Sequence, residues 1–306
     1  TQELLRASRG GERVSDTVAG PVLLETSDLG VRFGAVRALE GIDLSVRRGE
    51  VVGIVGESGS GKSTFARAVL QLVKPRAGAV VWMGRPLGEL ARAMRRDLQL
   101  VFQDPFGSLD PRMTVREIIS EPLEVHQPQA DPAPLVSAMI RRVGLDESLL
   151  GRFPHELSGG QNQRVGIARA MILNPALLIC DEAVSALDVS IQAQIVRLLQ
   201  SLKREFGTTI LFISHNLGVV QQLCDRVLVL YLGHMMEEGT TEQLFHEPRH
   251  PYTRALLEAI PIADPAVQPA RLGQALGGEL PSPTAPPSGC VFRTRCPHAI
   301  DVCRER

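Results

Sequence analysis

Residues 53–64 read GIVGESGSGKST, and their spacing decides the fold. Gly56, Gly61, Lys62 and Ser63 fall at the positions G-x-x-x-x-G-K-S. Glycines at that spacing let a backbone curl until its N–H groups point inward at an anion. The β-rich run Val51–Val55 leads into the loop, and a helical pattern over Ser63–Leu72 leads out of it. A loop so placed sits at the positive end of its helix, where phosphate oxygens are favoured. Lys62 supplies a cation for terminal phosphates, and the Ser63 hydroxyl supplies a ligand for Mg²⁺. The candidate cradle is therefore Gly56, Glu57, Ser58, Gly59, Ser60, Gly61, Lys62, Ser63 and Thr64. A glycine-rich turn that binds nothing is the competing reading, and the strand before and helix after argue against it.

A second strand ends in acid. Residues 176–182 read ALLICDE. A buried parallel strand delivers its last side chains to the carboxyl edge of the sheet, where α/β folds bind ligands. Asp181 is placed there as a partner of Mg²⁺. Glu182 is placed to orient and deprotonate an attacking water. A DE pair that merely starts a loop is common, so this motif gains its weight from the P-loop upstream.

Around these two stretches, β-rich runs at 98–102, 209–213 and 227–231 alternate with helical patterns at 161–172, 191–206 and 217–223. Alternation of this kind predicts an α/β fold with a largely parallel sheet. Residues 105–175 interrupt the rhythm with several helical patterns, punctuated by Pro122, Pro128, Pro132, Pro134 and Pro154. They read as a helical insertion. Beyond residue 245, HEPRHPYTRALLEAIP reads as one helix bounded by prolines, and GELPSPTAPPSGC as an extended proline-rich linker.

Bulk composition excludes several classes. A formal net charge of −1 over 306 residues offers no electrostatic footprint for nucleic acid. No window approaches the roughly eighteen apolar residues of a membrane span. Residues 1–20 are polar and do not read as a signal peptide, so a cytoplasmic setting is expected. Cys180 and Cys224 stand in apolar runs and read as small buried hydrophobes.

Together the motifs resemble those of the ATP-binding cassette family, and LSGGQNQR at 157–164 resembles its signature motif. The resemblance implies a P-loop α/β core with an antiparallel β portion near the N-terminus and an inserted helical subdomain. It spans about residues 22–245, preceded by a tail (1–21). It implies adenine stacking by Phe33, contact of the Gln103 loop with Mg²⁺, the attacking water and a transport subunit, a D-loop in SALD at 185–188 with Asp188, and a switch role for His215. In this family two cassettes pack head to tail, and each ATP is shared between the P-loop of one and the signature of the other. Ser158, Gly159, Gly160 and Gln161 would then serve a nucleotide held by a partner, with a donor hydroxyl, exposed amides and a helix start. An ordinary N-capped helix start is the alternative.

The segment 246–306, with PRHPYTRALLEAIP, GELPSP and GCVFRTRCP, resembles the C-terminal region of the ATPases of dipeptide and oligopeptide importers, a group that includes nickel importers. That resemblance implies a heterodimer with a related cassette, two membrane-spanning permease subunits, a separate substrate-binding protein, and a place on the cytoplasmic face of the membrane. Soluble cassette ATPases usually carry two cassettes or long coiled coils, and neither is read here. Cys290, Cys296 and Cys303 follow C-x₅-C-x₆-C. Ligation of a [4Fe–4S] cluster and a set of free thiols both remain open, because three ligands are one short of four and His298 is poorly spaced to help.

Overall fold

The computed structural model describes residues 20–88, 92–185, 187–260 and 279–305. Most of the expected N-terminal tail, Ala186 of the SALD run and residues 261–278 of the C-terminal segment lie outside the described residues.

Continuous apolar strands are buried on both faces. In β3 (Val51–Val55), Val51 and Val55 join one core while Val52 and Ile54 join another. The same split holds for β7 (Leu177–Asp181) and β8 (Thr209–Ile213): Leu178, Cys180, Ile210 and Phe212 face the first core, Leu177, Ile179, Leu211 and Ile213 the second. The period of two along a strand forces this alternation, which is why such strands read as unbroken hydrophobic runs. The first core is completed by the helical insertion and the C-terminal segment, the second by an antiparallel sheet near the N-terminus.

The antiparallel sheet pairs β1 (Val22–Phe33) with β2 (Val36–Arg47), and adds β4 (Ala77–Trp82) and β5 (Arg85–Pro86) in the order β2-β1-β4-β5. The larger sheet includes β6 (Leu98–Val101), β9 (Arg226–Tyr231) and β10 (His234–Thr240), in the order β10-β9-β3-β8-β7-β6. Its pairs are parallel except that of β10 with β9. Helix α1 (Lys62–Val69) follows the P-loop.

The helical insertion contains α2 (Val115–His126), α3 (Pro132–Arg142) and α4 (Gly159–Met171). Thr114 and Glu117 form a capping box on α2, and Asp131 caps α3 with Pro132 in its first turn. Pro122 corrects the sequence reading: it lies inside α2 and does not end it. Burial of Ile118, Ile119 and Leu123 against the first core outweighs the one backbone donor that proline removes. The long α5 (Val189–Phe206) ends at Gly207 in the left-handed region, and α6 (Leu217–Leu223) precedes β9.

The one helix expected within HEPRHPYTRALLEAIP, bounded by prolines, is present as a separate element. A helix α7 (Thr241–His246) stops first, and a new helix α8 (Pro251–Glu258) opens with the His250 ring nitrogen accepting from the Tyr252 amide. Pro251 has no amide hydrogen to continue the earlier helix but suits the first turn of a new one. Residues 279–305 run mostly without regular structure, yet Phe292 is buried against Tyr231 and Tyr252 at ring separations of 5.3 and 5.2 Å.

Candidate nucleotide site

The P-loop is packed so that only glycine fits its bends. Gly56 has φ 152°, and a Cβ there would stand 2.1 Å from the Leu230 carbonyl oxygen. Gly61 has φ 106° and would place a Cβ 2.6 Å from the Ala38 carbonyl oxygen. Gly61 is also the N-cap of α1, and no side chain caps that helix. Its first amides are left to a ligand, as an anion cradle requires.

Lys62 is buried, and its Nζ donates to the carbonyls of Gly56 and Glu57 at 2.9 and 2.8 Å. Burial lowers its pKa, against the opposing pull of Glu182, Asp181 and Glu57. The Ser63 hydroxyl donates to Asp181 Oδ1 at 2.9 Å, joining the start of α1 to the end of β7. Burial raises the Asp181 pKa, with the Ser63 hydrogen bond acting in the opposite direction. A hydroxyl paired with a carboxylate is a hard oxygen donor set that fits Mg²⁺. The buried Ser60 hydroxyl has no hydrogen-bond partner among the described residues, which also fits an anion received by this loop.

Glu182 follows β7 in a left-handed backbone conformation, φ 49°, with its amide donating to the Ile213 carbonyl. Its carboxylate accepts from Gln103 Nε2 at 2.8 Å, and His215 Nδ1 lies 3.6 Å from its other oxygen. The Gln103, Glu182 and His215 side chains therefore converge from the ends of β6, β7 and β8. A cleft of about 400 Å³ has Ser58, Gly59, Lys62, Ser63, Thr64, Gln103 and Glu182 in its wall, and His215 does not line it. Val36, Arg37 and Ala38 from β2, with Leu232 and Pro283, also form part of its wall.

Other residues singled out by sequence stand apart from this cleft. Phe33 is half exposed at the end of β1, three residues before that wall, and does not itself line the cleft. The signature run starts α4: Ser158 Oγ accepts from the Gln161 amide at 3.3 Å, and Gln161 Oε1 accepts from the Ser158 amide at 2.8 Å. Gly159 and Gly160 form the first turn. Asp188 is exposed at the N-cap of α5, and its side chain makes no cap hydrogen bond there.

Cys180 and Cys224 are buried, as expected, and burial pushes the Cys180 thiol up to about 12. Cys290, Cys296 and Cys303 are free, and the Cys290 amide donates to the Cys303 carbonyl at 3.0 Å. Among the described residues, no group of three or more histidine, cysteine or acidic side chains is disposed to hold a metal ion, so the [4Fe–4S] expectation receives no support. No helix among the described residues is long and apolar enough to cross a membrane.

Sequence reasoning missed two contacts on the P-loop. The Glu57 amide donates to the Tyr252 hydroxyl at 3.0 Å, and the Arg295 guanidinium grips the Glu57 carboxylate at 2.7 and 3.1 Å. Both reach back from the C-terminal segment across more than half the chain, and no local pattern announces them.

A P-loop between strand and helix, an acid pair closing another strand of the same sheet and a helical insertion define a nucleoside triphosphate-binding cassette. The chain belongs to the ABC transporter family. The profile of that family matches residues 39–185, and that of the oligopeptide/dipeptide transporter C-terminal region matches residues 236–303. The chain is 53% identical to the oligopeptide transport ATP-binding protein OppF of Escherichia coli over 302 residues, 92% of this chain and 90% of that protein. It is 50% identical to the putative oligopeptide transport ATP-binding protein YkfD of Bacillus subtilis, over 92% of this chain and 90% of that one. Among solved structures, the ABC transporter cassette MJ0796, in its dimeric form, superposes with a TM-score of 0.65 at 30% identity over 72% of this chain and 99% of that one. CbiO1 of Clostridium perfringens, part of an ABC transporter complex, superposes with a TM-score of 0.68 at 29% identity over 74% of this chain and 91% of that one.

Proposed function

We propose that this cassette hydrolyses ATP to drive the uptake of dipeptides and oligopeptides through a membrane permease. One observation carries the reading. The cleft joins the P-loop to Glu182 and Gln103, while the signature run lies on a separate helix start and takes no part in it. This supports reading the chain as half of one hydrolytic site and half of a second, which a head-to-tail pair of cassettes would complete.

The geometry supports the roles proposed for the P-loop, Asp181, Glu182 and Gln103, and the family resemblance supports the others. Lys62, freed from the loop carbonyls it now holds, meets the β- and γ-phosphates. Ser63 and Asp181, with Gln103, would hold Mg²⁺, which neutralises charge that develops on the phosphates. Glu182 accepts the proton of the attacking water, so that the new oxygen–phosphorus bond forms as the bond to the leaving ADP breaks. Gln103 and His215 flank that carboxylate and orient water and γ-phosphate. Ser158, Gly159, Gly160 and Gln161 contact the γ-phosphate of a partner's ATP, and Asp188 lies in the D-loop beside them. Phe33 stacks on adenine once nucleotide is present.

Peptide as cargo is supported by the oligopeptide transport relatives and by the match over residues 236–303. Nickel or another small solute is the second reading for the same machinery. A groove of about 350 Å³ lined by Leu72, Leu100, Phe102, Pro122 and Val125 supports docking of a membrane subunit. Phe102 lies in that groove while its neighbour Gln103 lies on Glu182, so an occupant of the groove would be felt at the site. The proposed assembly holds a second, related cassette, two permease subunits and an external substrate-binding protein, with this chain on the cytoplasmic face.

Reconstitution in vesicles tests the proposal. ATP turnover should rise when peptide-loaded binding protein is added. Stimulation by nickel-loaded binding protein alone would replace peptide by nickel. Recovery of a single cassette species with the permease subunits would reject the heterodimer.

A further inference from the structure

Glu57 poses a problem for the cradle. It is a carboxylate in a loop that receives phosphate, and its charge acts on Lys62. A like charge at an anion site weakens binding unless something opposes it. The structure supplies the opposing group from far along the chain. Arg295 binds both Glu57 oxygens, at 2.7 and 3.1 Å, in the fork geometry that guanidinium and carboxylate share. The Arg295 side chain is only 5% exposed, and its guanidinium lies 5.8 Å from the centre of the Tyr231 ring. The Glu57 bond is the chief cause that raises the Arg295 pKa, so its charge is permanent.

The backbone of Glu57 is held as well. Its amide donates to the Tyr252 hydroxyl, and its carbonyl accepts from Lys62 Nζ. Tyr252 is fully buried, and desolvation keeps its hydroxyl neutral by raising its pKa. Tyr252 stands on α8 and Arg295 in the terminal segment, and Phe292 packs against Tyr252 three residues before Arg295. From the same segment Pro283 lines the nucleotide cleft.

We propose that Arg295 and Tyr252 are positioning residues for ATP binding: the C-terminal segment neutralises Glu57 and holds the first bend of the P-loop, and so sets the affinity of the cassette for MgATP. The inference rests on the P-loop being the ATP site. It assigns that segment a task inside its own cassette, apart from any role toward cargo or permease.

The experiment measures MgATP affinity by calorimetric titration and, separately, KM and kcat of hydrolysis, for the wild-type chain, Arg295→Gln, Glu57→Gln/Arg295→Gln, Arg295→Lys and Tyr252→Phe. Arg295→Gln should raise Kd and KM about tenfold while kcat stays within about twofold, as expected for a binding-loop charge left unopposed. The double variant should recover most of the loss, because removing the carboxylate removes the need for the guanidinium. Arg295→Lys, which keeps the charge without the fork, should fall between wild type and Arg295→Gln. Tyr252→Phe should weaken binding by less than Arg295→Gln. Unchanged Kd in Arg295→Gln overturns the proposal. A double variant as weak as Arg295→Gln also overturns it, because the guanidinium would then be a structural anchor only. If Arg295→Gln does not fold, the double variant and Arg295→Lys carry the same comparison. Lys62→Ala is the separate control: full affinity in that variant would refute the nucleotide site and not the clamp.

Discussion

The two glycine-led helix starts of this chain look alike in sequence and differ in what they leave open. At α1 the cap is Gly61, no side chain closes the helix end, and the cleft lies in front of it. At α4 the cap is Ser158, and a reciprocal pair of hydrogen bonds with Gln161 closes the end. The glycines differ too. Gly56 and Gly61 have positive φ and no room for a Cβ, whereas a Cβ at Gly159 would meet its nearest neighbours only at 3.9 Å. Glycine at the P-loop is demanded by this chain's own packing. Glycine at Gly159 is not, which points to a contact made outside the chain.

Substitutions separate the two helix starts. The largest effect is expected at the P-loop half. Glu182→Gln should lower ATP turnover by about 10²–10⁴-fold, the usual reach of a general base, with MgATP affinity retained. Normal turnover in that variant would remove Glu182 from its role.

Next come the glycines. Gly56→Ala should destabilise the nucleotide-free chain by about 1–3 kcal/mol or more, read by denaturant unfolding, because strain and clash act together. Gly159→Ala should leave that stability within about 0.5 kcal/mol. Its loss should appear only when ATP-driven association with the partner cassette is measured. Equal destabilisation by the two substitutions would erase the distinction drawn here.

Ser158 gives a smaller, two-part effect. Ser158→Ala should cost about 1 kcal/mol of stability through the lost cap. Ser158→Asp restores the cap acceptor and so the stability, but sets a carboxylate against the γ-phosphate. Association with the partner should fail in both. Full association of the Asp variant would show that Ser158 only caps its own helix.

The smallest effect concerns Asp181. Burial raises its pKa in the folded chain, so the folded state holds that proton more tightly than the unfolded state does. The ionised group therefore weighs against the nucleotide-free fold at neutral pH, and that penalty fades as pH falls through the folded pKa. Asp181→Asn should make the nucleotide-free chain slightly more stable at pH 7 to 8 while removing Mg²⁺-dependent stabilisation. A less stable variant across that range would reverse the sign argued here.

Much of this is legible in the sequence. The alternation of strand and helix, the P-loop and the acid pair are local patterns, and each is decided within a few residues. The patterns erred where packing overrode propensity. Pro122 sits inside a helix because buried neighbours on α2 hold it there. Phe33 reads as part of the nucleotide site from its position in the chain, yet Val36, Arg37 and Ala38 form the wall that the cleft presents.

By itself the sequence determined the class of the core, because period-two burial, glycine at forced bends and acids at strand ends are consequences of backbone geometry over short spans. What meets what across long spans is settled by packing. It set Ser63 on Asp181, Gln103 on Glu182, and Arg295 on Glu57, the last pair 238 positions apart. A charge in isolation carries no record of its partner, and the fold chooses that partner by bringing two distant segments to the same low-dielectric place.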